Sequence, residues 1–438
     1  MKALTADLIH DGRGFVPGRA ILIDGDWIAD VVSTESVPRD AALEEWSGTA
    51  VIPGTVNAHG HAFQNLFKGF ADDRPFASWR DDVLYPFSER LDADAIYAGA
   101  LFAFAEALLA GVTTTVDFFY LHDAGDRNAE LVLKAAADLG IRLVFARAFY
   151  DVEAQTAAPS RYREPAETAA ERCRGLAERY RDEPLVSVQP APHSLHAASP
   201  STIAVALDLA RELDVPCHLH LAEAAYEREQ VVARYGETPV RLLDREGLLD
   251  PRLVMIHTVW VDDEEIDLLA DAGAGVVHCP GANAFLGDGI ARVPEMLKRG
   301  VRVALGPDGG CANNRQSVFD EMRMASLVAK ARLCDGGALD APAAFRLGTS
   351  SGADVLGLHC GAIEAGRYAD LVGLDLADLS LHPLNMLDRN IVNSMQQTAV
   401  STVMVGGRTV VAGGTLSSVP APEIADRVAR VTRDWERP

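Results

Sequence analysis

The stretch V-I-P-G-T-V-N-A-H-G-H, from Val51 to His61, sets the reading of the whole chain. An apolar run and a Pro-Gly turn lead into two histidines separated by one residue. Side chains two apart on a strand share a face, so His59 and His61 can both project from a strand mouth towards one metal ion. Three later segments supply matching groups in chain order. C-H-L-H-L-A-E runs from Cys217 to Glu223, R-L-V-M-I-H ends at His257, and A-L-G-P-D-G-G runs from Ala304 to Gly310. Nitrogen and carboxylate ligands, with further groups left for proton work, are what a metal-dependent hydrolase requires.

Working outward, short apolar runs alternate with longer helical stretches from residue 51 to 360. T-T-T-V-D-F at Thr113, R-L-V-F-A-R at Arg142, L-V-S-V-Q-P at Leu185, P-C-H-L-H-L at Pro216, G-V-V-H-C at Gly275 and R-V-A-L-G at Arg302 read as strands. With the Val51 and Arg252 segments they make about eight βα units, the pattern of a (β/α)8 TIM-like barrel. Before residue 51 and after residue 360 the style changes to short strands, with an Asp24-Gly25 hairpin signal near the start. The expected α/β architecture is therefore a barrel over 51–360, a small composite β-sandwich domain from 1–50 and 361–415, and a charged helical tail over 416–438. The stretch from Phe70 to Leu91 is long for a βα loop, as substrate lids often are.

The chain has 438 residues, 48% of them hydrophobic, enough for a large core. Forty Lys and Arg stand against 63 Asp and Glu, for a formal charge of -23, with no basic cluster. That balance argues against a nucleic-acid binder and against polyanionic substrates. No run of about 18 apolar residues marks a membrane span. The N-terminus lacks the apolar core of a signal peptide. The six cysteines form no C-x-x-C pair, which fits buried thiols in a cytoplasmic protein.

Of the two histidines in C-H-L-H-L-A-E, His220 is expected to be the ligand and His218 a packed residue deeper in the barrel. Glu223, three residues on where the chain leaves the strand, reads as an acid facing the substrate. His257 ends a strand and reads as catalytic. Asp308 can both bind a metal and accept a proton from water. His193 and His196, in Q-P-A-P-H-S-L-H, read as substrate contacts. Gln64 could pair with a heterocycle edge, Trp79 could pack on its face, and Arg147 could meet an anionic or carbonyl group.

P-G-T-V-N-A-H-G-H, A-P-H-S, H-L-H-L-A-E, I-H-T-V-W, V-V-H-C-P-G-A-N-A-F-L-G-D-G and L-G-P-D-G-G-C-A-N-N together resemble the amidohydrolase superfamily. The similar subgroup holds S-adenosylhomocysteine/methylthioadenosine deaminases, guanine-type deaminases and triazine hydrolases. The resemblance implies one zinc ion per chain, with iron(II) as the alternative, held by His59, His61, His220 and Asp308. It implies that Asp308 takes a proton from the attacking water, His257 steadies it, and Glu223 protonates the substrate nitrogen and then the leaving amine. It also suggests a homodimer. C-A-N-N after Asp308 and the Phe76–Trp79 stretch resemble adenosine-analogue and guanine-type deaminases. H-A-F-Q, S-W-R and A-P-H-S-L resemble formimidoylglutamate deiminase instead, although His196 stands where that enzyme carries arginine. Deamination of an amino-substituted N-heterocycle (purine, pterin, pyrimidine or triazine type) is the leading expectation. Hydrolysis of an acyclic C=N group, and dechlorination or dealkylamination of a triazine-like ring, are the alternatives.

Overall fold

The computed structural model describes residues 1–151 and 158–436. Eight parallel strands form its centre. They are β1 (Thr55–Asn57), β2 (Val112–Phe119), β3 (Arg142–Phe149), β4 (Val186–Pro192), β5 (Cys217–Leu221), β6 (Leu253–His257), β7 (Gly275–His278) and β8 (Arg302–Leu305). β1 to β4 pair in sequence, as do β5 to β8. A parallel bridge between Ser194 and His220 joins the two halves at one seam. The Ala58 N–H donates to Leu305 O at 2.9 Å across the other, closing the ring.

The strands explain themselves locally. β2, β3 and β5 are buried along their whole length, because helices cover the outer face while side chains fill the inner one. In β5 the alternation puts Cys217, Leu219 and Leu221 against the helices and His218 and His220 inside. Such a strand reads as a continuous apolar run interrupted only by its functional groups.

Both chain ends contribute to one nine-stranded mixed sheet. Its spatial order is Thr415–Leu416, Arg408–Ala412, Val400–Val405, Leu371–Asp375, Ala42–Pro53, Lys2–His10, Arg19–Asp24 and Trp27–Ser33, with Phe15–Val16 paired to Lys2–His10. The long strand Ala42–Pro53 runs directly into β1, so the sheet delivers the chain to the barrel with a single break at Gly54. Helix Ala421–Val431 follows the last strand, and Trp435 beyond it packs on Phe67, Phe70 and Phe87. All six cysteines are free, five of them buried. No helix among the described residues is long and apolar enough to cross a membrane.

A buried ion pair ties this sheet to the barrel. Arg142, at the start of β3, donates to both carboxylate oxygens of Asp370 at 2.8 and 3.0 Å. Its guanidinium carbon lies 3.7 Å from the centre of the Tyr368 ring, and Asp370 also accepts the Gly406 N–H at 2.7 Å. Removing one partner of a buried pair strands the other charge, which costs about 3–5 kcal/mol. Asp370→Ala is accordingly expected to lower the unfolding free energy by about that amount, read from denaturant titration. A loss below about 1 kcal/mol, the value of an exposed pair, would show that the contact is not the clamp described here.

Candidate metal centre and catalytic site

His59 and His61 lie just beyond β1 rather than on it. The sequence argument expected strand alternation to align them, whereas a tight loop does so. The His59 N–H donates to Asn57 Oδ1 at 3.0 Å, Gly60 O accepts the Phe118 N–H at 2.7 Å, and the Ala62 N–H donates to Asp117 Oδ1 at 2.7 Å. Their rings end with centroids 4.8 Å apart. His220 reaches the same place from β5, with its centroid 4.8 Å from that of His59. Asp308 arrives from beyond β8, its Oδ1 3.3 Å from His59 Nε2 and 3.6 Å from His61 Nε2.

The ring nitrogens are already sorted for metal binding. His61 Nδ1 donates to Phe118 O at 2.6 Å and His220 Nδ1 donates to His193 O at 2.9 Å, leaving each Nε2 with its lone pair free. His59 is fully buried, and neither of its ring nitrogens has a hydrogen-bond partner. An unpartnered buried imidazole is costly unless something accepts its lone pair. Burial holds all three rings below the usual histidine range, so they present neutral donors. The potential ligand atoms of His59, His61 and His220 lie within 4.8 Å of one another, and so do those of His59, His257 and Asp308. The two sets overlap at His59, and four of their members, His59, His61, His220 and Asp308, offer the nitrogen and carboxylate donors that suit a single divalent ion of the zinc type. His218 does not join them. Its Nε2 donates to Gln189 Oε1 at 2.7 Å deeper in the barrel, as expected for a packed residue.

Backbone strain concentrates at this end of the barrel. Ala222, His257, Thr258 and Asp308 all have φ between 49° and 70°, a region that non-glycine residues rarely adopt. Hydrogen bonds hold them there. The Thr258 N–H donates to Leu221 O, the Val259 and Trp260 N–H groups donate to Ala222 O, and the Asp308 N–H donates to His59 O. Strain so firmly held is a mark of a functional site. Two glycines permit the close approach. A Cβ on Gly306 would lie 2.8 Å from the His59 backbone, and one on Gly309 would lie 1.9 Å from Gln64 Oε1.

Glu223 and His257 face each other across the centre, with Oε1 and Nε2 3.4 Å apart. The Glu223 backbone N–H donates to Glu227 Oε2 at 2.8 Å, which anchors the turn after β5. Burial pushes the Glu223 carboxyl well above the usual range, and the nearby Asp288, Asp308 and Glu227 carboxylates add to this. Burial and the neighbouring like charges thus favour the protonated form of this carboxyl.

A small cavity opens beside these groups. Gln64, Trp79, His193 and His196 line it as expected, together with Glu223, His257 and Asp308. The Gln64 amide is already engaged on both sides, donating to Tyr120 OH at 2.8 Å and accepting from Cys311 Sγ at 3.3 Å. The Trp79 indole N–H donates to Cys311 O at 2.9 Å, joining the Phe70–Leu91 stretch to the C-A-N-N loop above the cavity. His193 stacks on His220, with centroids 4.8 Å apart.

Arg147 lies elsewhere. It is fully buried, but its Nη1 pairs with Glu164 Oε1 at 2.5 Å, and Arg172 shares that carboxylate. The period of β3 explains the difference: Tyr150, three residues on, lines the cavity, so Arg147 falls on the opposite face, towards the helices. Reading the strand as ending at Arg147, whereas it runs on to Phe149, placed Arg147 with the substrate.

Several cavity residues escaped the sequence reading. Tyr85, Tyr120, Tyr150 and Tyr162 line the wall. Tyr120 and Tyr150 each lie one residue past a barrel strand, next to the strand-end position that singled out His257, and the strand-end rule extended to aromatic residues would have found them. Phe118, which touches the rings of His59, His61 and His220, carried no such signal inside its apolar run.

Comparison with known proteins agrees with this geometry. The family model described as the amidohydrolase family matches residues 50–410. A 5-methylthioadenosine/S-adenosylhomocysteine deaminase of Syntrophobacter fumaroxidans is 35% identical over 438 residues, covering 99% of this chain and 97% of its own. A 5'-deoxyadenosine deaminase of Methanothermobacter thermautotrophicus is 35% identical over 414 residues, covering 94% and 93%. The crystal structure of an adenosine deaminase from Xanthomonas campestris with bound zinc superposes with a TM-score of 0.90 at 28% identity, covering 98% of this chain and 97% of that one. The closed parallel barrel, the histidine set at its strand ends and these similarities over nearly the full length place the chain in the amidohydrolase family.

Proposed function

We propose that the protein is a metal-dependent aminohydrolase that replaces the amino group of an adenine-type heterocycle with a carbonyl and releases ammonia. The observation that carries this reading is Glu223. It is a buried carboxyl facing His257 at 3.4 Å, on the wall of a cavity that also borders the histidine set. An amine leaves only when protonated, whereas chloride needs no proton, so a held acid at this position favours deamination over dechlorination. The tyrosine and tryptophan walls suit a flat ring.

His59, His61, His220 and Asp308 would hold the metal, with zinc as the first choice, since the similar adenosine deaminase binds it. The bound ion would supply the Lewis acidity that makes water nucleophilic near neutral pH. Asp308 accepts the proton that the attacking water loses. His257 orients that water from the far side of the carboxylate. Glu223 donates its proton to the ring nitrogen next to the attacked carbon, then takes the remaining hydroxyl proton of the adduct and passes it to the exocyclic amine, so that ammonia leaves as the carbonyl forms; the proton held by Asp308 restores Glu223. Gln64, Trp79, His193 and His196 shape the ring pocket.

The relatives are named for 5-methylthioadenosine, S-adenosylhomocysteine and 5'-deoxyadenosine, which directs the substrate search to adenine nucleosides altered at the 5' end. The test is ammonia release by zinc-loaded protein against such nucleosides, with guanine, pterins, cytosine, aminotriazines and formimidoylglutamate as competitors for the assignment. Turnover of an adenine nucleoside, abolished by chelation and restored by zinc, is the expected result. Turnover of formimidoylglutamate alone would replace this reading with the acyclic one.

A further inference from the structure

Asn283 sits in the short helix Pro280–Leu286 that follows β7, and it is 1% exposed. Its Nδ2 lies 3.0 Å from His257 Nδ1. An amide nitrogen only donates, so His257 Nδ1 must accept, and the neutral ring then carries its proton on Nε2. A second contact matches this orientation: the same Nδ2 donates to Asp288 Oδ2 at 3.4 Å.

Asp288 is held in turn. Its N–H donates to Asn283 O at 2.9 Å, its carbonyl accepts the Trp260 indole N–H at 2.7 Å, and it is 4% exposed. At the other end of the imidazole, His257 Nε2 faces Glu223 Oε1 at 3.4 Å and Asp308 Oδ2 at 3.9 Å.

We propose that Asn283, steadied by Asp288, is a positioning residue that fixes the tautomer of His257 and so presents an N–H, not a lone pair, to the reacting centre. This has a consequence for the metal set. The atoms of His59, His257 and Asp308 are close enough to form a ligand triad of their own. With its Nε2 protonated and its Nδ1 occupied by Asn283, His257 has no lone pair to offer. It is thereby kept out of coordination and left as a hydrogen-bond donor to the oxygen that attacks. Ligands and donor are separated by a residue that touches neither the ion nor the substrate.

The inference rests on the placement of the chemistry at His257 proposed above, and its test reads the ring directly. In zinc-loaded protein carrying 15N-histidine, the His257 signals are assigned by difference against His257→Asn. A protonated Nε2 and an unprotonated Nδ1 are expected, and a proton on Nδ1 overturns the proposal. Asn283→Leu removes the amide at nearly constant volume. Both tautomers should then appear, with kcat lowered about 10–100-fold, the usual cost of losing such an outer partner, while KM and zinc content hold. Wild-type kcat with an unchanged spectrum in that variant also overturns it. If Asn283→Leu does not fold, the wild-type spectrum decides alone. The spectrum needs no substrate, so silence across the substrate panel would count against the deaminase reading and leave this inference to its own result.

Discussion

Asp308→Asn is expected to abolish turnover, with kcat/KM falling by about 10⁴-fold or more, because one side chain serves both as a ligand and as a proton acceptor. Its Oδ1 lies 3.3 and 3.6 Å from the Nε2 atoms of His59 and His61, and its Oδ2 lies 3.9 Å from His257. An amide of the same shape offers one acceptor oxygen in place of two and no negative charge. It can neither balance a divalent ion nor take a proton from water. Steady-state rates and metal content measured on the same preparation check this. A variant that binds one zinc per chain and turns over near the wild-type rate would remove Asp308 from both roles. The surrounding fold should survive, since the backbone at this position is held by its own N–H donating to His59 O at 3.1 Å.

Glu223→Gln is expected to separate the two functions that Asp308 combines. The carboxyl lies 3.4 Å from His257 Nε2 and is not among the potential metal-binding groups. Zinc content should therefore be unchanged. Turnover should fall by about 10²–10⁴-fold, the usual contribution of a positioned general acid. KM should move little, because glutamine keeps the size and polarity of the wall. Full turnover of an amino substrate by Glu223→Gln would end the proton-donor assignment.

These two residues also show how the chemistry could be read before the fold was known. Each lies where an apolar run ends, and in a barrel every such end faces the same mouth. His59, His61, His220, His257 and Asp308 come from four separate segments of sequence. One rule, that strand ends converge, gathers them all. Four of the five enter the cavity wall directly, and His59 lies beneath, with its nitrogens unpartnered. His218 was set apart correctly for a similar reason: two residues earlier on the same face of β5 is one layer deeper in the barrel.

The limits of that rule are as physical as its success. Arg147 does not end its run, since β3 continues to Phe149, and strand parity turns it towards Glu164 and the helices. His59 and His61 needed no strand beneath them, because the Asn57, Phe118 and Asp117 contacts bend the loop into place. Asn283 and Asp288 were invisible, since their meaning lies in one hydrogen bond to a residue on another strand. The two terminal segments were expected to build one β unit together, and they share one nine-stranded sheet, but which strands pair within it depends on contacts between residues hundreds of positions apart.

The sequence by itself therefore determined the element types, the barrel and the inventory of reactive groups, because periodicity and position in a run are local properties of the chain. Tertiary structure alone decided which nitrogen of each histidine is free, which face Arg147 takes and which acid meets which base. Those outcomes depend on distances between segments that no local pattern encodes.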